Sequence, residues 1–243
     1  MNIIKLNAID STSSFLKELL KQQYVENFTT VVAENQINGR GQIGNIWSSE
    51  NGKNLTFSVL VKDSIVDNNF VFVLNTIVSI GIIRALEKFK INKLAIKWPN
   101  DILSENKKIA GILIENIFKG NNEIISIVGI GLNVNQMKFD DLPQASSLAI
   151  LKNKLFDKEL LLKEILYEIK FLITQLTNNV KFDFWEEYHH LLFKKNIPSV
   201  FEDVNNQQFQ GIIKGVTKFG KLIILLEDDS IKEFNIKEIK MLF

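Results

Sequence analysis

The chain has 243 residues, 46% hydrophobic and 23% charged, with 29 basic against 28 acidic side chains and a net charge of +1. This supplies a core for one large domain, or one large and one small, but leaves no electrostatic footprint for nucleic acid or an anionic membrane surface. With no cysteine, disulfides, thiolate metal sites and thiol nucleophiles are excluded, and the two histidines, His189 and His190, are adjacent.

Met1-Asn2-Ile3-Ile4-Lys5 lacks the basic segment, apolar stretch and cleavage site of a secretory signal, so a cytoplasmic location is expected. Residues 3–6 read as a short strand. Asp10-Ser11-Thr12-Ser13-Ser14 is rich in helix N-cap side chains, and Phe15, Leu16, Leu19 and Leu20 then mark one face of a helix. A strand over residues 29–33, the run Gly39-Arg40-Gly41-Gln42-Ile43-Gly44 and a β-type stretch over 55–60 follow. In a dinucleotide-binding fold this glycine spacing must open a helix. Here the segment continues through Trp47 and Asn51-Gly52 to Asn54-Leu55 without a helical pattern, giving strand, glycine loop, strand. Such a loop offers backbone N–H groups to an anion, and Arg40 adds a planar charged fork. The bland alternative is a mobile hairpin tip.

Residues 70–83 form the most apolar stretch, interrupted by Asn75, Thr76 and Ser79 and closed by Arg84. A bilayer needs about 20 largely apolar residues, so a buried helix ending near Lys88 is expected and no membrane span. Leu94-Ala95-Ile96-Lys97 reads as a strand stopped by Trp98-Pro99-Asn100-Asp101. Residues 109–114 and 124–134 resemble a strand pair separated by Lys119-Gly120-Asn121-Asn122. Leu161, Ile165, Ile169, Leu172 and Leu176 mark a long amphipathic helix, and Trp185, Tyr188 and Leu192 recur at helical spacing in the aromatic stretch that begins at Phe182. That places the histidines on a structural helix. From Asn196-Ile197-Pro198 onward the chain reads as short strands over 199–204, 209–216, 222–226 and 231–234, a small all-β appendage that must lean on the larger part.

Four polar clusters end otherwise apolar strands, where site residues are commoner than in cores. They are residues 11–13, the glycine loop with Gln36 before it, Lys97-Trp98-Pro99-Asn100-Asp101, and Gly129-Ile130-Gly131-Leu132-Asn133-Val134-Asn135. Each alone has a plain structural alternative as a cap, a turn or a strand terminus. Taken in order, Asp10-Ser11-Thr12, Gly39-Arg40-Gly41 with Gly44, Trp47, Gly52, Asn54-Leu55 and Ser58, then Lys97 to Asp101, Lys108-Ile109-Ala110-Gly111-Ile112-Leu113 with Glu115, and finally the 129–135 run resemble the biotin protein ligases.

The resemblance covers nearly the whole chain. It implies an α+β fold: a mixed-sheet catalytic domain over 1–195 and a small SH3-like β-barrel over 196–243. The implied reaction joins biotin's carboxylate to the α-phosphate of ATP, releases pyrophosphate, and passes the acyl group from biotinyl-5′-AMP to a lysine of a biotin carrier domain of a carboxylase. Bringing two anions together demands charge neutralisation and in-line alignment, and Lys97 and Arg40 are the implied catalytic cations. Ser11, Thr12, Ser13 and Gln36 are implied to read the ureido ring, which needs donors and acceptors rather than charge, with Arg40, Gly41, Gln42, Lys97 and Gly111 completing the biotin side. Gly39, Arg40, Gly41, Trp47, Asn100, Asp101, Lys108 and Asn133 are implied on the adenylate side, Trp47 covering the adenine. Mg²⁺ is expected to arrive on phosphate oxygens, with no protein-built metal site. Pairing through sheet edges implies a homodimer.

Two features depart from the family pattern: Gln42 and Asn45 stand where arginines are usual, and Ser13 replaces a common asparagine. The Asp-Ser-Thr motif begins at residue 10, from which we expect a short form without an N-terminal helix-turn-helix and without DNA binding. Rival readings are a lipoate or octanoate ligase or transferase of the same architecture, a non-catalytic biotin-binding protein, or an RNA-binding module using the β tail. A kinase is set aside because no His-Arg-Asp or Asp-Phe-Gly element is present.

Overall fold

The computed structural model describes residues 2–62, 71–118, 124–140, 142–178 and 183–242. In chain order, β1 (Ile3–Ile9), α1 (Thr12–Gln22), β2 (Thr30–Gln36) and β3 (Leu55–Lys62) are followed by α2 (Val71–Lys88). Next come β4 (Leu94–Lys97), β5 (Asp101–Ser104), β6 (Lys107–Phe118), β7 (Ile124–Leu132), α3 (Leu148–Lys152), α4 (Lys158–Thr177) and α5 (Phe184–Leu191). The seven strands form one mixed sheet in the order β1-β2-β3-β7-β6-β5-β4, with β1 parallel to β2 and the other pairs antiparallel.

Strand β3 is buried over all but its last residue, which fits its largely apolar sequence, interrupted only by Thr56 and Ser58, and a place between two helical layers. On one face, Leu60 joins Leu16 of α1, Val31, Ile125 and Ile127 in a small cluster. On the other, Phe57, Val59 and Val61 belong to the main core with Ile77, Val78, Ile165 and Ile169 of α2 and α4. Asp157 caps α4 by accepting from the N–H groups of Glu159 and Leu160, worth about 1 kcal/mol. No helix of the described residues is long and apolar enough to cross a membrane.

The proline after Lys97 ends β4, as expected, but the chain returns at once. Trp98 to Asn100 form the turn of a hairpin, and the unanticipated β5 pairs with β4 so that Asp101 lies opposite Lys97. Strand β5 was hidden because Asp101 and Ser104 bracket only two apolar residues. The glycine loop is strand-to-strand as read, except for one 3₁₀ turn over Gln42–Gly44. The expected turn at 119–122, and the ends of the apolar and aromatic stretches at Phe70 and Phe182, lie outside the described residues.

The tail requires a correction. Strands β8 (Pro198–Asp203), β9 (Gln208–Val216), β10 (Leu222–Leu226), β11 (Ile231–Phe234) and a further β12 (Ile239–Leu242) form an antiparallel sheet in the order β11-β10-β9-β8-β12. It is open, not the SH3-like β-barrel expected. Closure requires the outermost strands to pair with each other, whereas among the described residues the only strand paired with β11 is β10 and the only strand paired with β12 is β8. Short strands at regular spacing encode an all-β piece; they do not encode which edges meet.

This sheet shares the main core: Phe201, Ile213, Val216, Leu222 and Ile224 are continuous with the helices and the large sheet. Trp98 Nε1 donates to the Gly220 carbonyl at 2.9 Å. Half-buried His189 of α5 joins helix to sheet through Nε2, which lies 3.0 Å from the Val216 backbone nitrogen and 3.1 Å from its carbonyl oxygen.

Burial foremost holds the His189 pKa below its ordinary value; Lys195 and His190 add to this, while the Val216 backbone and Asp183 oppose it. As pH falls below about 6.5, the unfolded chain takes up a proton that the folded chain resists, so this contribution to stability is lost on acidification. Urea midpoints at pH 7.5 and 5.5 are expected to show a smaller acid loss for His189→Gln than for the unaltered protein; equal losses refute the assignment.

Candidate active site

A cavity of about 280 Å³ opens between the large sheet, the start of α1, the glycine loop, the β4–β5 hairpin and the C-terminal sheet. Its neutral polar end is built by α1. Ser11 is the N-cap, its hydroxyl accepting from the Ser14 N–H at 3.4 Å. Thr12 donates from its backbone N–H (2.8 Å) and its hydroxyl (3.0 Å) to Gln36 Oε1. Ser58 of β3 links Thr12 and Ser13, its Oγ lying 2.8 Å and 2.9 Å from their hydroxyl oxygens. The three hydroxyls are buried and mutually satisfied, and Gln36 Oε1 is committed to Thr12, which leaves the amide nitrogen as the donor. A chain of hydroxyls and one carboxamide suits an uncharged partner that both gives and takes hydrogen bonds.

The glycine loop is a small hairpin. Gly41 N–H donates to Asn45 O at 2.7 Å, Trp47 N–H to Gly39 O at 2.9 Å, and Arg40 bridges Ile46. These bonds revise one expectation, since the Gly41 amide is spent inside the loop rather than offered to an anion. The turn needs Gly44 at φ +81°, where a side chain is strained. Arg40 is exposed and lines the cavity with Gly41 and Gln42.

Trp47 leaves this loop to lie on the sheet. Gly111 of β6 and Gly131 of β7 are register partners, and they make a flat seat for the indole. A Cβ at Gly131 would sit 2.3 Å from Trp47 Cε2, and one at Gly111 3.2 Å from Cζ3. The indole N–H is buried and has no acceptor among the described residues, an unmade bond that costs on the order of 1–3 kcal/mol.

The cationic end rests on one carboxylate. Asp101 Oδ1 lies 2.6 Å from Lys108 Nζ, and Oδ2 lies 3.8 Å from Lys97 Nζ. Burial is the main cause holding the Lys97 pKa below its ordinary value; Asp101 opposes this, and Lys108 and Lys240 reinforce it. A partly buried ammonium with its pKa lowered by desolvation and neighbouring cations gains when an anion arrives. Asn100 lines the cavity but also fastens the hairpin, its Nδ2 donating to Ile112 O at 2.7 Å.

Of the residues singled out by sequence, Ser11, Thr12, Ser13, Gln36, Arg40, Gly41, Gln42, Trp47, Lys97, Asn100, Asp101, Lys108 and Gly111 line this one cavity. Gly39 and Asn133 do not. Gly39 is the loop's base, where a Cβ would lie 2.3 Å from the Trp47 carbonyl oxygen. Asn133 is buried and donates to Ser146 O at 3.0 Å, an internal brace. Sequence reasoning counted Ser58 in the family pattern without giving it a role, because its Thr-x-Ser setting looks like ordinary β-strand, and it did not single out Lys237 or Lys240. Lys237 and Lys240 line the cavity, and Ser58 backs it through its contacts to Thr12 and Ser13.

Comparison with known proteins gives this arrangement a context. Residues 6–135 match the model of the Biotin/lipoate A/B protein ligase family. The chain belongs to that family. Residues 200–239 match the Biotin protein ligase C terminal domain. Among solved structures, the biotin protein ligase from Aquifex aeolicus in complex with biotin and ATP superimposes with a TM-score of 0.79 at 27% identity, covering 99% of this chain and 98% of that one. The bifunctional ligase/repressor BirA of Bacillus spizizenii is 31% identical over 170 residues, 68% of this chain and 51% of that protein. BirA of Escherichia coli is 27% identical over 245 residues, 95% of this chain and 70% of that protein. The chain thus spans about half the length of the Bacillus relative and more of the Escherichia one.

The seat beneath Trp47 is testable within this family member. Gly131→Ala should expel the indole, seen as a red shift of the emission that Trp47→Phe removes; an unshifted spectrum would show that Trp47 does not rest there.

Proposed function

We propose that this cavity binds biotin and ATP and that the protein attaches biotin to a lysine of a biotin carrier domain through biotinyl-5′-AMP. The observation that carries the reading is that Lys97 and Arg40, delivered by separate segments, face one cavity whose other end is a buried hydroxyl network. In this reading Ser11, Thr12, Ser13 and Gln36 bond the ureido ring, with Ser58 fixing the two central hydroxyls. The Gln36 amide nitrogen, left as a donor by the Thr12 contacts, favours biotin, whose ureido oxygen accepts, over the apolar chain of lipoate or octanoate.

In the first step a biotin carboxylate oxygen attacks the α-phosphorus, the bond to the bridging oxygen breaks, and pyrophosphate leaves with the electron pair. Lys97 and Lys108 reduce the repulsion between the two anions, and Asp101 keeps both lysines at the reacting end. In the second step an acceptor lysine amine attacks the acyl carbon, AMP leaves and the amine loses its proton. Arg40 and the loop close over the mixed anhydride and exclude water, and the orphaned Trp47 N–H gains an acceptor as the ring moves onto the adenine. Mg²⁺ would be carried by the triphosphate oxygens and would add to charge neutralisation there, beside Asp101, the carboxylate that lines the cavity and is bonded to Lys108. We assign catalysis to residues 1–195, assisted by 196–243, and place the protein in the cytoplasm.

Biotin-dependent exchange of labelled pyrophosphate into ATP tests the reading, with lipoate as the competing acid. Exchange with biotin alone supports it, exchange with lipoate alone selects the rival, and none leaves a binding protein. Lys97→Met is expected to lower the exchange rate about 100-fold, as loss of a charge aligned on a developing anion does. The same loss is expected for Arg40→Ala in adenylate retention. Gln42→Arg should slow release of biotinyl-adenylate several-fold, measured by filter binding, because a charged hydrogen bond exceeds a neutral one by about 1 kcal/mol.

A further inference from the structure

The cationic end of the cavity holds more positive charge than a carboxylate and a single phosphate require. Arg40, Lys97, Lys108, Lys237 and Lys240 line it, and Asp101 is the sole carboxylate among the described lining residues. Asp101 is shared between Lys97 and Lys108. Lys237, in the turn after β11, and Lys240, on β12, are both exposed. Neither has a carboxylate within 4 Å among the described residues. The loop on the same cavity presents Gln42 and Asn45 beside Arg40, so it brings one cation only.

Like charges crowded on one cavity repel one another when it is empty. Lys240 is close enough to Lys97 to disfavour its protonation. A ligand carrying several negative charges relieves this crowding, and a nucleoside triphosphate has two phosphates beyond the one attacked.

Resting on the biotin–ATP reading, we propose that Lys237 and Lys240 of the C-terminal sheet hold the two outer phosphates of the triphosphate, supplying cations that the Gln42 and Asn45 loop does not. As the α-phosphorus to bridging-oxygen bond breaks, its electron pair goes to the departing pyrophosphate, and two ammonium groups there stabilise the growing charge. Biotinyl-adenylate has lost those phosphates, so the second step draws little on either lysine. The small sheet is thereby part of the first half-reaction rather than an appendage.

The test is a Lys237→Ala, Lys240→Ala double variant of the full chain, with Lys240→Arg as the conservative control. Both positions are exposed, so folding is expected to survive. The KM for ATP should rise about tenfold, inhibition by inorganic pyrophosphate should weaken by a similar factor, and the KM for biotin should move less than twofold. Transfer from preformed biotinyl-adenylate to an acceptor lysine should also change less than twofold, and Lys240→Arg should stay near the unaltered protein. Adding Gln42→Arg to the double variant should recover much of the lost ATP affinity. Unchanged ATP and pyrophosphate terms, or an equal rise in the biotin KM, would overturn the proposal. Failure of the unaltered protein to exchange pyrophosphate would instead overturn the biotin–ATP reading and this proposal with it, a distinction visible before any substitution is made.

Discussion

Two lysines cannot share a partly buried corner unless something negative stands between them, and Asp101 is that group. It meets Lys108 at 2.6 Å and faces Lys97 across the β4–β5 hairpin. The hairpin exists because Pro99 ends one strand and Asn100 ties the turn to Ile112 of β6 through two hydrogen bonds. The sheet order then sets this corner beside the β6–β7 glycine pair and within reach of the loop from β2. Asp101 favours the charge of Lys97 against burial and its cationic neighbours. The site's electrostatics therefore rest on a contact made by backbone register rather than by flexible surface chains.

The opposite end of the cavity is organised by different physics. Hydroxyl groups on α1 and β3 satisfy one another, so they are costless to bury and hold fixed directions. Between the two ends, Trp47 lies across Gly111 and Gly131. The sheet supplies the walls; the loop brings Arg40 and Trp47 to the cavity.

Much of this was legible in the sequence. Apolar periodicity located α1, α2, α4, α5 and the long strands, because each buries one stripe or one run against a neighbour. The loop and the Lys97 to Asp101 turn were legible because glycine, proline and paired polar residues interrupt those patterns. What stayed hidden depends on three-dimensional closure. Strand β5 has only two apolar residues, and Asn133 looked like a site residue because a buried brace and a ligand contact both call for an amide at a strand end. The barrel expectation failed for the same reason, since edge pairing is a long-range property. Lys240 reads as a surface charge until β12 is seen to turn its strand toward the cavity.

The open C-terminal sheet has a cost of its own. Among the described residues, strands β11 and β12 each leave one side of backbone donors and acceptors without a neighbouring strand, and such rims invite pairing with another chain's strand. Lys232 and Glu233 stand exposed on β11 and Lys240 on β12, where the desolvation of a charge opposes that stacking. A lysine on β12 therefore has a second use, keeping a strand with Ile239, Met241 and Leu242 from adding to a neighbour's sheet.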